Sequence, residues 1–297
     1  FLIGSFEVFA VLVLISVIAF WIRRNIIRIK RFSEKKMTGW PKLDADLILY
    51  FEIILMSLFL LMNATDLEFQ NMNNGNIISG LIYPYFSGYS IETLHIFERS
   101  FWWLHIIGIL IFLNYLFYSK HLHIILAFPN TYYASISRIG KLNNMKSVTN
   151  EVNIMMGKSI ESEINDDINF GANDVMDLSW LQLLNAYSCT ECGRCTSVCP
   201  ANMTGKKLSP RKIMMDTRDR IEEVGNNIDK NGKYINDNKK LLGDYISEEE
   251  LWACTSCNAC VEECPININP LSIIMDIRRN LVMEDSLAPS ELNNMMN

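Results

Sequence analysis

The chain has 297 residues, is 49% hydrophobic and carries a formal net charge of -6. That length suits about two domains, and the lack of a basic domain argues against nucleic acid as a partner. The averages hide two unlike halves: residues 1–128 are mostly apolar runs, whereas residues 139–297 are polar, acidic and hold all eight cysteines.

The first residue is Phe1, not Met, so whether helices precede it is left open. Phe1–Ile22 is apolar apart from Glu7, Asp46–Asn63 is a second such run with Glu52 inside it, and Ser100–Tyr118 is a third. About 20 apolar residues span a bilayer, so three transmembrane helices are predicted. Pro129 is expected to cap the third, which would extend to about Phe128. The stretch from Arg23 to Lys42 carries Arg23, Arg24, Arg28, Lys30, Arg31, Lys35, Lys36 and Lys42, whereas Ala64 to Glu98 carries no Lys or Arg. Cationic loops stay inside, so the first loop is predicted to be cytoplasmic, the second outside, and the cysteine region cytoplasmic, in a multi-pass protein of the cell inner membrane. Gly80, Pro84 and Gly88 interrupt the outer stretch, which reads as lying on the membrane. Intramembrane Glu7 and Glu52 are expensive unless paired or functional. Glu52 is a candidate for proton uptake at a quinone site, or a helix-packing residue.

All four histidines, His95, His105, His121 and His123, lie on or beside the third run. On one continuous helix, His105 and His123 would be about five turns and about 27 Å apart on a shared face. That geometry suits two haem b groups stacked across a bilayer, since haem iron accepts histidine. The haem candidates are, in order, His105, His123, His95 and His121. The plainer alternative is interfacial or helix-packing histidines. The first two runs contain no histidine, so a second set of ligands would come from a partner or a preceding helix.

Residues 139–176 read as a polar linker. A helix is predicted from about Asp177 into Cys189, another from the Ser209 N-cap and Pro210 to about Val224, and a polar loop over Gly225–Gly243. Ser247 and Glu250 form a capping box for a helix into Cys254, and Asn269 with Pro270 starts the last helix. Residues 177–285 form the predicted cluster domain, 1–138 the transmembrane domain (spans about 1–22, 46–63 and 100–118) and 286–297 a tail. The predicted class is all-α: a transmembrane bundle followed by a helical dicluster ferredoxin domain.

The cysteines carry the chemistry. Cys189, Cys192, Cys195 and Cys199 with Pro200 read C-x2-C-x2-C-x3-C-P, and Cys254, Cys257, Cys260 and Cys264 with Pro265 repeat it. In two-cluster ferredoxins the fourth cysteine of each run ligates the other cluster. Cys189, Cys192, Cys195 and Cys264 are therefore expected to hold one [4Fe-4S] cluster, and Cys254, Cys257, Cys260 and Cys199 the second. Structural zinc does not use three cysteines at this spacing followed by C-P, and disulfides need an oxidising compartment.

The runs SCTECGRCTSVCPANMTGKKLSPRKIMMDTRDR and ACTSCNACVEECPININP closely resemble the two-cluster subunits of heterodisulfide reductase and its relatives, including anaerobic glycerol-3-phosphate dehydrogenase and electron-transfer-flavoprotein:menaquinone oxidoreductases. The membrane half resembles the haem-b subunit of respiratory nitrate reductase, although the second histidine pair of that family is absent. The resemblance implies an electron-transfer subunit of a hetero-oligomeric membrane oxidoreductase. It would link a cytoplasmic redox protein, a flavoprotein or a subunit with a CCG-type cysteine domain, to the menaquinone pool. No Cys-Cys-Gly occurs in this chain. The alternatives are a heterodisulfide- or thiol-linked reductase subunit, and a cluster-bearing membrane anchor with neither haem nor a quinone site.

Overall fold

The computed structural model describes residues 2–296 except 33–34, 73–74, 137–139, 143 and 159–169. It divides into two compact units, Phe1–Leu122 and His123–Asn297, so the division falls earlier than the 138 expected from hydropathy. Among the described residues there is no β-strand.

The first unit holds α1 (Leu2–Asn25), α2 (Trp40–Thr65), the short α3 (Leu67–Asn71) and α4 (Ser79–Ile82), and α5 (Ile91–Leu116). Helices α1, α2 and α5 are each long and apolar enough to cross a membrane. Helix α2 packs against both α1 and α5. On the α2–α5 seam, a side chain at Gly108 would run into Leu55, and Phe51 meets the rings of Phe112 and Tyr115.

Two carboxylates organise this unit. Glu7 is fully buried and accepts hydrogen bonds from the Asn63 amide at 3.1 Å and from the backbone N–H groups of Ile78 at 2.8 Å and Ser79 at 3.2 Å. It thus satisfies amides at the start of α4 and fixes the chain after α3 to α1. A carboxylate at a helix N-terminus is electrostatically favourable. Asp44, also buried, accepts from the Tyr115 hydroxyl at 2.5 Å, the Ser119 hydroxyl at 2.6 Å and the Lys120 backbone N–H at 3.1 Å.

Asp44 explains a correction. The third apolar helix does not continue to Phe128. It stops at Leu116, a 3-10 turn spans Lys120–Leu122, and a new helix α6 (His123–Tyr132) begins at His123 with Pro129 inside it. The Lys120 amide, which an unbroken helix would direct to Leu116, is held by the Asp44 carboxylate. His105 and His123 are consequently not five turns apart on one helical face, and the spacing argument for two stacked haems fails.

The second unit continues with α7 (Lys146–Met155), α8 (Trp180–Ser188), the short α9 (Arg194–Ser197) and α10 (Pro200–Met203), α11 (Pro210–Asn231), α12 (Glu248–Trp252), α13 (Ala259–Glu262), α14 (Pro270–Met283) and α15 (Ser290–Met296). The caps form as their residue types direct. Ser209, Ser247 and Asn269 accept the N–H groups of Lys212, Glu250 and Ser272, and Ser179 with Gln182 makes a further capping box. The core is the apolar face of α14 (Ile273, Ile274, Ile277, Leu281) against Ile213, Met214 and Val224 of α11, closed by Leu241, Ile246 and Leu251.

Three local expectations are corrected. Helix α11 runs through Gly225 and ends only at Gly232, which takes the left-handed conformation (φ 72°). The end of the supposed linker is core: Ala172 and Val175 are buried, and the Ala172 N–H donates to Asp276 O. Gly171 has φ +81°, and a Cβ there would collide with Asp276 O, so the contact excludes any side chain. The expected tail contains α15. Residues 159–169 of the linker lie outside the described residues.

Candidate iron-sulfur site

Each cysteine run is a tight loop built on two left-handed residues at equivalent positions. In the first, Glu191 and Gly193 have φ of 58° and 76°. In the second, Ser256 and Asn258 have φ of 56° and 60°. Such turns gather successive backbone N–H groups into an anion-binding concavity of the kind common at iron-sulfur sites. Here the Ser256 N–H approaches Cys254 Sγ at 3.4 Å. The backbone N–H of Glu191 serves Cys189, and those of Ile266 and Ile268 serve Cys264. Each loop then enters a short helix, α9 or α13. Cys199 caps α10, whereas Cys264 is followed by a turn.

A cavity of about 210 Å³ lies in the first loop. Cys189, Cys192 and Cys195 line it together with Cys260 and Cys264 from the second run. On the other side, Cys260 and Cys254 each interact electrostatically with Cys257 and Cys199. Cys189, Cys199 and Cys260 are buried, while Cys257 is exposed, and none of the eight forms a disulfide. Among the described residues no three His, Cys, Asp or Glu side chains converge closely enough to share one metal ion. A cubane spreads its four thiolates over separate irons, and cysteines of both runs line this one cavity.

Burial pushes the Cys189, Cys195 and Cys260 thiols up to about 12. The metal-free chain therefore holds these groups protonated at neutral pH, and iron must displace protons to bind.

Three arginines support the loops, and the cysteine spacing does not reveal them. Arg218 donates to the Glu191 carboxylate, holding that residue in its left-handed turn. Buried Arg211 lines the cavity and reaches Glu191 O. In the second loop, Arg278 donates to Leu251 O and Cys254 O, both at 2.6 Å, and stands over the Trp252 ring at 4.9 Å. Their signal in the sequence is a cation on the buried face of a helix that packs behind a cysteine loop.

The four histidines have different surroundings. The His105 Nδ1–H donates to Leu55 O at 3.0 Å, with Phe59 beside the ring. His95 is largely exposed and 3.5 Å from Glu98. His121 meets the Phe112 ring. His123 belongs to the second unit and lines the cavity with Cys189, Cys192, Cys195 and Cys264.

These observations define an all-α iron-sulfur chain with three helices suited to a membrane. Residues 188–268 match the family described as the 4Fe-4S dicluster domain. The chain is 30% identical over 90% of its length, and 40% of the relative's, to the probable iron-sulfur-binding oxidoreductase FadF of Bacillus subtilis. It is 28% identical to the EtfAB:quinone oxidoreductase of Syntrophomonas wolfei, over 70% of this chain and 29% of the relative. It is 31% identical to one subunit of the ferredoxin/F(420)H(2)-dependent CoB-CoM heterodisulfide reductase of Methanosarcina acetivorans, over 40% of this chain and 60% of the relative. The chain thus spans less than two thirds of each of these relatives, all of which are named as oxidoreductases or their subunits. No solved structure matches it.

Proposed function

We propose that this chain is an electron-transfer subunit of a membrane oxidoreductase. It would carry two [4Fe-4S] clusters and link a cytoplasmic redox partner to the menaquinone pool within a hetero-oligomeric complex. The carrying observation is the cavity in which Cys264 joins Cys189, Cys192 and Cys195, the crossed ligand set of a dicluster ferredoxin. Bound cubanes supply one-electron exchange. The chain's own residues would hold them by thiolate, direct backbone N–H groups at the cysteine sulfurs and keep water from the buried thiolates. Exposed Cys257 offers an edge that a soluble partner can approach. The quinone end of the reading is supported by the apolar helices and by the name of the Syntrophomonas relative. In vesicles, chain reduced by dithionite is expected to be reoxidised by a menaquinone analogue. Clusters that stay reduced would leave only the anchor reading.

The placement of the second unit in the cytoplasm, at the inner membrane, rests on the cationic first loop. Protease added outside intact cells is expected to leave residues 142–176 uncut. External cleavage there would reverse the topology.

A haem b reading keeps one specific support. A carbonyl only accepts, so the bond to Leu55 O fixes the Nδ1–H of His105 as donor and leaves Nε2 for iron, as in many metal-bound histidines. His105 would thus offer one axial nitrogen to a haem, with a second ligand from a partner or a preceding helix.

A further inference from the structure

The histidine set aside by the break in the third helix sits at the cysteines. His123 opens α6, and the rest of that helix is built onto the cluster loops. The side-chain amide of Asn130, itself buried, donates to Ile266 O at 2.7 Å, two residues beyond Cys264. The Ser188 hydroxyl, next to Cys189, donates to Leu126 O at 3.4 Å. The Tyr133 ring meets Trp180 edge-on. Helix α6 is thus tied to the chain beside both ends of one crossed ligand set, and its first residue forms part of the wall that Cys189, Cys192, Cys195 and Cys264 share.

We propose that His123 is a positioning residue of that cluster, which supplies an N–H to its sulfur surface and holds its reduction potential less negative. The proposal rests on the dicluster reading. An imidazole carries at least one N–H in either protonation state, and hydrogen bonds to cluster sulfurs, with net charge and solvent exposure, set the potential of an iron-sulfur centre. Arg211 and Arg194 line the same cavity and act in the same direction by charge. Around the second run, Arg278 donates to the carbonyls of Leu251 and Cys254 and its charge also acts on the Cys254 thiol.

The test is potentiometry followed by EPR on the full chain, with His123→Leu, His123→Ala and His123→Gln. Wild type should show two clusters with separable midpoints; absence of both would sink the dicluster reading itself, which distinguishes that failure from this one. In the Leu and Ala variants one midpoint should move to a more negative potential, and it should belong to the cluster that survives removal of Cys199 and Cys254. In the Gln variant, which keeps a side-chain N–H, it should return towards wild type. Where only one of the Leu and Ala variants assembles, that one decides. Unmoved midpoints, a Gln variant no different from Leu, loss of the cluster in both Leu and Ala, or a changed b-type visible band with fixed midpoints would each overturn the proposal.

Discussion

A chain lacking both Cys199 and Cys254 is expected to keep one intact cubane, about four irons, whereas a chain lacking Cys199 and Cys189 is expected to keep none. The reason is the crossing. Cys199 follows the first run in sequence, yet its thiol interacts electrostatically with Cys254 and Cys260, while Cys264 lies with Cys189, Cys192 and Cys195. Two losses within one ligand set damage one cluster; one loss in each set damages both. If each run held its own cluster, the pattern would invert, with Cys199/Cys189 retaining iron and Cys199/Cys254 losing it. Iron and acid-labile sulfide analysis with EPR reads the result without any assay of turnover. The two-cubane assignment itself requires about eight irons in wild type, and zinc in place of iron would remove its basis.

The second large effect is expected at Arg220. Its side chain is fully buried and forks onto both oxygens of Asp174 and onto Asp237, with further bonds to the Tyr234 hydroxyl and Lys239 O. It ties the segment before α8 and the loop after α11 to one helix. Arg220→Met leaves two carboxylates without their cation. Removing one partner of a buried pair costs roughly 3–5 kcal/mol. The lower figure applies here, because Asp174 and Asp237 keep 16% and 24% of their side chains in solvent. Thermal loss of the cluster absorbance should come several degrees lower, and Arg220→Met with Asp237→Asn should recover part of it.

The pH dependence has a definite sign. The Arg220 hydrogen bonds hold the Asp237 carboxyl well below the usual carboxylate range. A depressed carboxylate contributes stability that is full above its unfolded value of about 3.9 and is lost as pH falls through the folded one. The gap between wild type and Arg220→Met should therefore be widest at neutral pH and close as pH falls below about 4. A gap that widens in acid would show that the carboxylates are not what Arg220 stabilises.

What the sequence determined is what local chemistry determines. The three apolar runs, the caps at Ser209, Ser247 and Asn269, and the two cysteine runs follow from residue type and spacing over a few positions, and each appears in the structure. Tertiary contacts decided the rest. The third helix ends at Leu116 because Asp44, far away in the sequence, captures the Lys120 amide, and no periodicity within residues 100–128 contains that information. His123 consequently lies among cysteines instead of sharing a face with His105. Glu7, read as an intramembrane carboxylate that must be either paired or functional, finds its partners in Asn63 and the amides of Ile78 and Ser79. The segment before Asp177 looked like linker because its apolar residues are few; Gly171 and Ala172 pass tight against Asp276, and Asp174 finds Arg220. A carboxylate or guanidinium displays its charge in the sequence, but its role is fixed by the donor or acceptor that the fold places beside it, because an unpaired buried charge costs more than the chain's net stability can absorb.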